Sequence, residues 1–260
     1  MSFQILCIGD VVGQPGRLIL EKKLSALRRE RSINCIVCNG ENAAAGSGVT
    51  PKVLGEMLAA GVDIVTTGDH VYKNRDGLEC INNPRLVRPL NYPDTAAGKG
   101  ATVFEAQDGT RVLVANLIGQ VFMGPADNPF VAVDRLLAQP PAPFDLAVVD
   151  FHAEATSEKV AMGWHLDGRV AVLVGTHTHI QTADERILPN GTAYITDLGM
   201  TGAYASVLGR DIEPVLQSFR TQMPARFTVA ENDVRLSGVL VSVDVAAKRA
   251  ISIERIMLSA

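Results

Sequence analysis

Five short apolar runs punctuate this chain, and each stops at a residue able to hold a cation. ILCIG stops at Asp10, CIVCNG at Glu41-Asn42, DIVTTG at Asp69-His70, LAVVDF at His152, and VAVLVG at Thr176-His177-Thr178-His179. Short runs rich in Val and Ile, bounded by Gly and polar residues, read as buried β-strands. Helical segments lie between several of them. Residues 13–31 carry Leu18, Leu20, Leu24 and Leu27 at roughly helical spacing. Thr50-Pro51 is a helix start, Thr as N-cap and Pro at the first helical position, and Gly61 ends that helix. Residues 129–138, 157–166 and 211–221 read as further helices.

Two hairpins are expected, one turning at Asp108-Gly109 and one at Asn190-Gly191. From residue 226 onward the sequence alternates at period two, as antiparallel strands do. A total of about ten strands is many for one flat sheet. The fold class expected is α/β: two mixed β-sheets packed together and flanked by helices. No repeat, low-complexity tract or linker divides the chain, so residues 1–260 are expected to form a single domain.

Composition excludes several functions. With 24 Lys and Arg against 28 Asp and Glu, the net charge of -4 supplies no basic field for stable duplex nucleic-acid binding. A small phosphorylated ligand is still compatible, because a bound metal provides cationic charge locally. No apolar run approaches the ~18 residues that span a bilayer, and MSFQILCIGDVVG reads as a first strand rather than as a secretion signal. Cys7, Cys35, Cys38 and Cys80 lie in or beside apolar segments, which suits reduced, buried thiols and the cytoplasm. Cys35 and Cys38 form a C-x-x-C inside a strand. Positions i and i+3 of a strand point to opposite faces, so the pair is not expected to chelate zinc or to close a disulfide.

In open α/β sheets, ligands bind outside the carboxyl ends of the strands. The five stops therefore bring three carboxylates, one carboxamide and four imidazoles to one rim. Taken singly, Asp10 could cap the following helix, Glu41 and Asn42 could form a turn, and His152 could be a core histidine. His177 and His179 are harder to dismiss: at i and i+2 on an extended chain they project from one face, ~6–7 Å apart. Together the five strand ends favour a metal site. The donors are oxygen and nitrogen without sulfur, which suits zinc, iron or manganese rather than a structural cysteine site. Asp10, Glu41, Asn42, Asp69, His152, His177 and His179 are too many ligands for one tetrahedral ion. They fit a pair of ions ~3.5–4 Å apart, bridged by a carboxylate and a hydroxide, of the kind that clamps the oxygens of a phosphoryl group.

With these residues in place, the chain resembles the YmdB-like bacterial branch of the calcineurin-like metallophosphoesterases. The resemblance extends over nearly the whole chain and rests on GDVVGQPGR, CNGENAAAGSGVT, TTGDH, DFHAEATSEK, GTHTHIQTADE and ITDLGMTG. It implies an αββα four-layer sandwich and hydrolysis of small phosphodiesters, with 2′,3′-cyclic nucleotides as substrate class. It implies that a metal-bridging hydroxide attacks phosphorus. It also implies that Asp10, Glu41, Asn42, His152, His177 and His179 ligate two ions of an iron-type centre, with Mn, Zn or Mg as other candidates. Glu41 matches the bridging carboxylate, and His70 the proton donor to the leaving alkoxide. His177 matches the ion held with His152 and Asp69, and His179 the ion held with Asp10.

Two departures stand out. The family usually has Gly-Asn-His where this chain has Gly68-Asp69-His70, so Asp69 brings a formal charge to a ligand position. Typical phosphoesterases start Asp-x-His, whereas the triplet here is Asp10-Val11-Val12, and Asn42 is expected to compensate. Asp69 keeps a second function class in view, a metal- or nucleotide-binding regulatory protein with vestigial hydrolysis. A metal-dependent amide hydrolase is a weaker third. Glu154, Glu158 and Lys159 are expected to cap or flank the helix after His152. Thr176 and Thr178 are expected to orient the imidazoles, and Arg17 and His165 to be structural. Trp164 could pack or stack a base. A homo-oligomer is compatible with the sequence.

Overall fold

A computed structural model describes residues 2–260 of the chain. In its first half, β1 (Phe3–Ile8) and β2 (Asp10–Val11) lead into α1 (Gly13–Glu30). Then follow β3 (Cys35–Asn39), α2 (Pro51–Ala59), β4 (Ile64–Thr66) and β5 (Leu86–Val87). The middle contains β6 (Ala101–Glu105), β7 (Arg111–Ile118), α3 (Pro129–Ala138), β8 (Leu146–His152), α4 (Thr156–Leu166) and β9 (Val172–Thr176). The remainder contains β10 (Arg186–Ile187), β11 (Ala193–Ile195), β12 (Met200–Ala203), α5 (Ile212–Thr221), β13 (Val234–Asp244) and β14 (Arg249–Ser259).

The strands form two mixed sheets. In the first, β1, β3, β4 and β5 run parallel, and β13 joins β1 antiparallel, with β14 beyond it and β12 and β2 at one end. In the second, β7, β8, β9 and β11 run parallel between antiparallel edges β6 and β10. Both expected hairpins are present, β6 with β7 and β10 with β11.

Strand alternation decides the layers. On β1, Ile5 and Cys7 face the second sheet and pack with Val114, Val148 and Val172. Leu6 and Ile8, on the other face, pack with Leu20 and Leu24 of α1 and Met57 of α2. On the far side, Val133 of α3 and Met162 and Leu166 of α4 cover Leu117, Val149 and Leu173 of the second sheet. This is the expected αββα sandwich. Cys35 lies in the inter-sheet core and Cys38 in the helix-facing core, so the C-x-x-C points both ways as expected.

Several local expectations change. The buried stripe of α1 is Gly16, Ile19, Leu20, Leu24 and Leu27, while Leu18 is 52% exposed. Residues two apart lie on opposite sides of a helix, so Leu18 and Leu20 cannot share a face. Residues 226–233 are not strand, and pairing begins at Val234. The strand total is fourteen among the described residues, because two-residue strands such as β2, β5 and β10 are too short to show a period. Thr50 does cap α2, its hydroxyl accepting from the Val53 N–H at 3.3 Å. None of the helices described is long and apolar enough to cross a membrane.

Candidate metal centre

The carboxyl ends of β1, β3 and β4 in one sheet and of β8 and β9 in the other meet at one rim. Asp10 is fully buried there, its N–H donating to the Gly199 carbonyl at 3.1 Å. It does not cap α1, whose N-cap is Val12 with no side-chain bond. Glu41 and Asn42 do occupy a turn, but their side chains are buried and directed into the cluster. The backbone of Gly68 passes so close that an added Cβ would meet Glu41 Oε2 at 2.1 Å and His152 Nε2 at 2.4 Å. Glycine is required there for close approach.

Glu41 divides the cluster. On one side, ligand atoms of Glu41, Asp69, His152 and His177 all lie within 4.8 Å of one another. His152 Nε2 is 3.1 Å from Glu41 Oε2 and 3.3 Å from Asp69 Oδ1, and His177 Nδ1 is 3.0 Å from His152 Nε2. On the other side, Asn42 Nδ2 donates to Glu41 Oε1 at 2.9 Å and lies 3.1 Å from His179 Nε2. That nitrogen is 3.9 Å from Asp10 Oδ1. As placed, the Asn42 carbonyl oxygen is engaged by His70 Nδ1 at 2.8 Å. The rim thus brings together the seven candidate ligands expected from the sequence, with His70 beside them.

The hydrogen bonds of the three cluster histidines follow one rule. Thr176 gives its hydroxyl proton to Asp150 Oδ1 at 2.7 Å, so its oxygen accepts from His152 Nδ1 at 2.9 Å. His177 Nε2 faces Glu154 Oε2 at 3.1 Å, and His179 Nδ1 faces the Leu208 carbonyl at 3.1 Å. When a cation rather than a second proton faces the inner nitrogen, each imidazole has an acceptor for its single N–H on the outer nitrogen, and the inner lone pair is turned into the cluster. Metal-binding histidines are oriented in this way.

Charge points the same way. Burial tends to raise the Glu41 carboxyl, but His152 and His70 outweigh it and hold it below its ordinary value. Burial likewise opposes a charge on His152, yet Glu41, Asp69 and Asp10 hold that imidazole well above its usual pKa. Burial pushes Asp10 up to about 6. Its Oδ1 is buried with no hydrogen-bond partner, a costly arrangement for a carboxylate that a bound cation would relieve. Oxygen and nitrogen donors around an unsatisfied buried carboxylate fit a metal centre.

The 177–179 segment differs from expectation. β9 ends at Thr176, and His177 and His179 have φ of 101° and 65°, so the two do not project from an extended chain. The turn separates them, one toward each side of Glu41. Positive φ strains non-glycine residues, so the surroundings must hold the turn in place. His177 N donates to Asp10 Oδ2 at 3.2 Å, and Met200 N to the His179 carbonyl at 3.0 Å. Thr178 donates to Asp197 Oδ2 through both N–H (3.1 Å) and hydroxyl (2.7 Å). Asp197 is in turn paired at 2.7 Å with Lys159, and both are buried.

Lys159 is therefore not a helix-flanking residue as expected: it neutralises the carboxylate that holds the turn. Removing one member of a buried pair strands the other charge, at a cost of about 3–5 kcal/mol. Lys159→Met should lose that much in urea unfolding. Lys159→Met with Asp197→Leu should recover part of the stability but not the activity, since Thr178 loses its acceptor with Asp197. Recovery of both would free the ion pair from any role in the site.

Asp150 and Asp197 support the site without having been singled out by sequence reasoning. Asp150 is buried between the sheets and accepts from Thr66, Thr176 and Asn39. A carboxylate inside the apolar run LAVVDF was the available signal. Of the weaker expectations, Glu158 accepts from the N–H groups of Gln120 and Val121, tying down the loop after β7, while α4 itself has Ala155 at its N-cap. Thr176 orients His152, whereas Thr178 bonds Asp197 rather than an imidazole. Arg17 bridges Glu56 and the Ala43 carbonyl, and His165 pairs with Asp134. Trp164 is exposed, with no aromatic partner among the described residues.

A cavity of about 480 Å³ opens on Glu41, Asn42, His70, His177 and His179. A larger one of about 560 Å³, between residues 90–94 and α3, shares none of these groups and contains no comparable chemistry.

Known proteins of the same build exist. The chain is 46% identical over 257 residues to a 2′,3′-cyclic-nucleotide 2′-phosphodiesterase of Bacillus subtilis (strain 168), covering 98% of this chain and 97% of that protein. A crystal structure of a hypothetical protein from Thermus thermophilus superposes with a TM-score of 0.93 at 37% identity, covering 99% of both chains. A structure of a novel phosphatase from Mycoplasma pneumoniae superposes with the same TM-score of 0.93 at 36% identity, covering 100% of this chain and 94% of that one. The family described as YmdB-like protein matches residues 6–256, and the chain belongs to that family.

Proposed function

We propose that residues 1–260 work as one metallophosphoesterase domain that hydrolyses 2′,3′-cyclic nucleotides. The observation that carries this is the pairing of two donor groups across Glu41, with a buried, unpartnered Asp10 oxygen 3.9 Å from both His152 Nδ1 and His179 Nε2. The Bacillus relative's activity supports the substrate class. Asp69, His152 and His177 would hold one ion and Asp10, His179 and, with its amide turned so that the carbonyl oxygen faces inward, Asn42 the other, with Glu41 shared; iron is the first candidate. When bound, such a pair supplies an activated water and cationic stabilisation of the phosphoryl oxygens. Thr176, Glu154 and the Leu208 carbonyl keep the three imidazoles facing inward. His70 lines the cavity beside the cluster and gives a proton to the departing ribose oxygen. The four free, buried cysteines support a reducing, cytoplasmic setting.

Metal analysis of the purified protein, followed by a panel of 2′,3′-cyclic nucleotides with Fe, Mn, Zn and Mg, tests the proposal. Turnover with about two ions per chain is expected; stoichiometric nucleotide binding without hydrolysis would sink it. Asp69 adds its own expectation. Its second charge should strengthen the hold on a cation, so Asp69→Asn should surrender metal to a chelator faster than the unmodified protein. Equal loss rates would remove that charge from metal retention.

A further inference from the structure

The cavity over the cluster has two unlike sides. One is the charged rim; the other is an apolar wall formed by Leu208, Val215, Phe219 and Phe227. Phe219 is 72% exposed, and Leu208 and Phe227 are 45% and 44% exposed. Aromatic surface held open to water beside a polar site marks a place for an apolar ligand part. The wall is fastened to the site: His179 Nδ1 faces the Leu208 carbonyl at 3.1 Å, and Arg210 donates to the Ala45 and Gly46 carbonyls. The loop carrying Leu208 therefore ties a cluster histidine to the turn after β3.

We infer that this wall is the nucleobase subsite, with Phe219 and Phe227 as stacking platforms; the inference rests on the phosphodiesterase proposal above. A cyclic phosphate set over Glu41 and His70 leaves its nucleoside only the remaining cavity to fill. Every base has a π-face, and stacking on an aromatic ring tolerates any of them. The wall offers few groups to read a base edge. Arg210 is engaged by backbone carbonyls, which leaves Ser218 as the polar side chain of the wall. The subsite therefore binds bases without choosing among them, and selection falls on the cyclic phosphate.

Phe219→Ala tests this, with ethylene glycol cyclic phosphate as a substrate that has the same five-membered ring and no base. The ratio of kcat/KM for 2′,3′-cyclic AMP to that for the baseless substrate should fall about fivefold to a hundredfold, the span of base–aromatic stacking. Phe219→Trp should keep the ratio, and Phe227→Ala should lower it. The adenine, guanine, cytosine and uracil substrates should lie within about tenfold of one another, since stacking is tolerant of the base. An unchanged ratio overturns the subsite, as does a Phe219→Ala effect seen only as a change of oligomeric state. Binding of adenosine alone, followed by calorimetry, separates the two readings. If neither cyclic phosphate is hydrolysed but adenosine affinity still depends on Phe219, the phosphodiesterase proposal fails and the subsite stands. If both are hydrolysed and adenosine binding ignores Phe219, only the subsite fails.

Discussion

The His177→Ala/His179→Ala double variant is expected to purify without stoichiometric metal and to lose about 10³-fold or more in turnover. Each histidine turns one nitrogen to its own side of Glu41, so the pair of substitutions weakens both halves of the centre. The ions contribute several kcal/mol of charge stabilisation in such sites, and each 1.36 kcal/mol is tenfold in rate. Neither histidine is in the core, so the fold should survive. Retention of both ions in the double variant would remove the proposed centre altogether. The backbone offers an independent check. Alanine keeps the strain of φ 101° and 65°, whereas glycine relieves it. The double glycine variant should therefore be the more stable of the two in urea, with equally little metal. Equal stability would mean that the turn stores no strain.

How far the sequence anticipates this site depends on what each residue's neighbours are. Asp10, Glu41, His152 and His177 stand out because an apolar run ends abruptly at a metal-binding side chain, and parallel strands share one carboxyl edge. That logic needs no knowledge of which strands pair. The shape of the 177–179 turn was not legible in the same way. Its positive φ values arise from contacts with Asp10, Asp197 and Met200, which come from other elements. Periodicity alone extends the strand through both histidines and so places them wrongly. Lys159 and Asp197 show the same limit: they are 38 residues apart, and nothing local tells either that the other is buried beside it. Leu18 failed for a simpler reason, a neighbouring Ile19 that satisfies the helical stripe better. The sandwich, by contrast, was recoverable because a count of about ten strand-like runs already exceeds one flat sheet, and that count needs no knowledge of which residues touch.

His70→Asn is expected to keep both metal ions and lose about 10²–10⁴-fold in kcat on 2′,3′-cyclic AMP, the usual worth of a general acid. The imidazole sits on the cavity side of the cluster. The backbone N–H of His70 donates to Glu41 Oε2 at 3.4 Å, its Nδ1 is 2.8 Å from Asn42 Oδ1, and its Nε2 lies 3.5 Å from Asp69 Oδ2. With the Asn42 amide turned so that its carbonyl oxygen faces the ion, its NH2 would donate to Nδ1, and the His70 proton would sit on Nε2, the nitrogen that passes it to a leaving oxygen. The leaving group separates this role from a structural one. A ribose alkoxide is strongly basic and needs its proton as the P–O bond breaks. A p-nitrophenolate is a weak base and departs without one. The loss in the variant should therefore be large for 2′,3′-cyclic AMP and small for bis-p-nitrophenyl phosphate. If His70 instead served to hold Asn42 and Glu41 in place, both substrates would suffer alike and metal would be lost with them. Equal losses on the two substrates, or full activity on the cyclic nucleotide, would take proton donation away from His70.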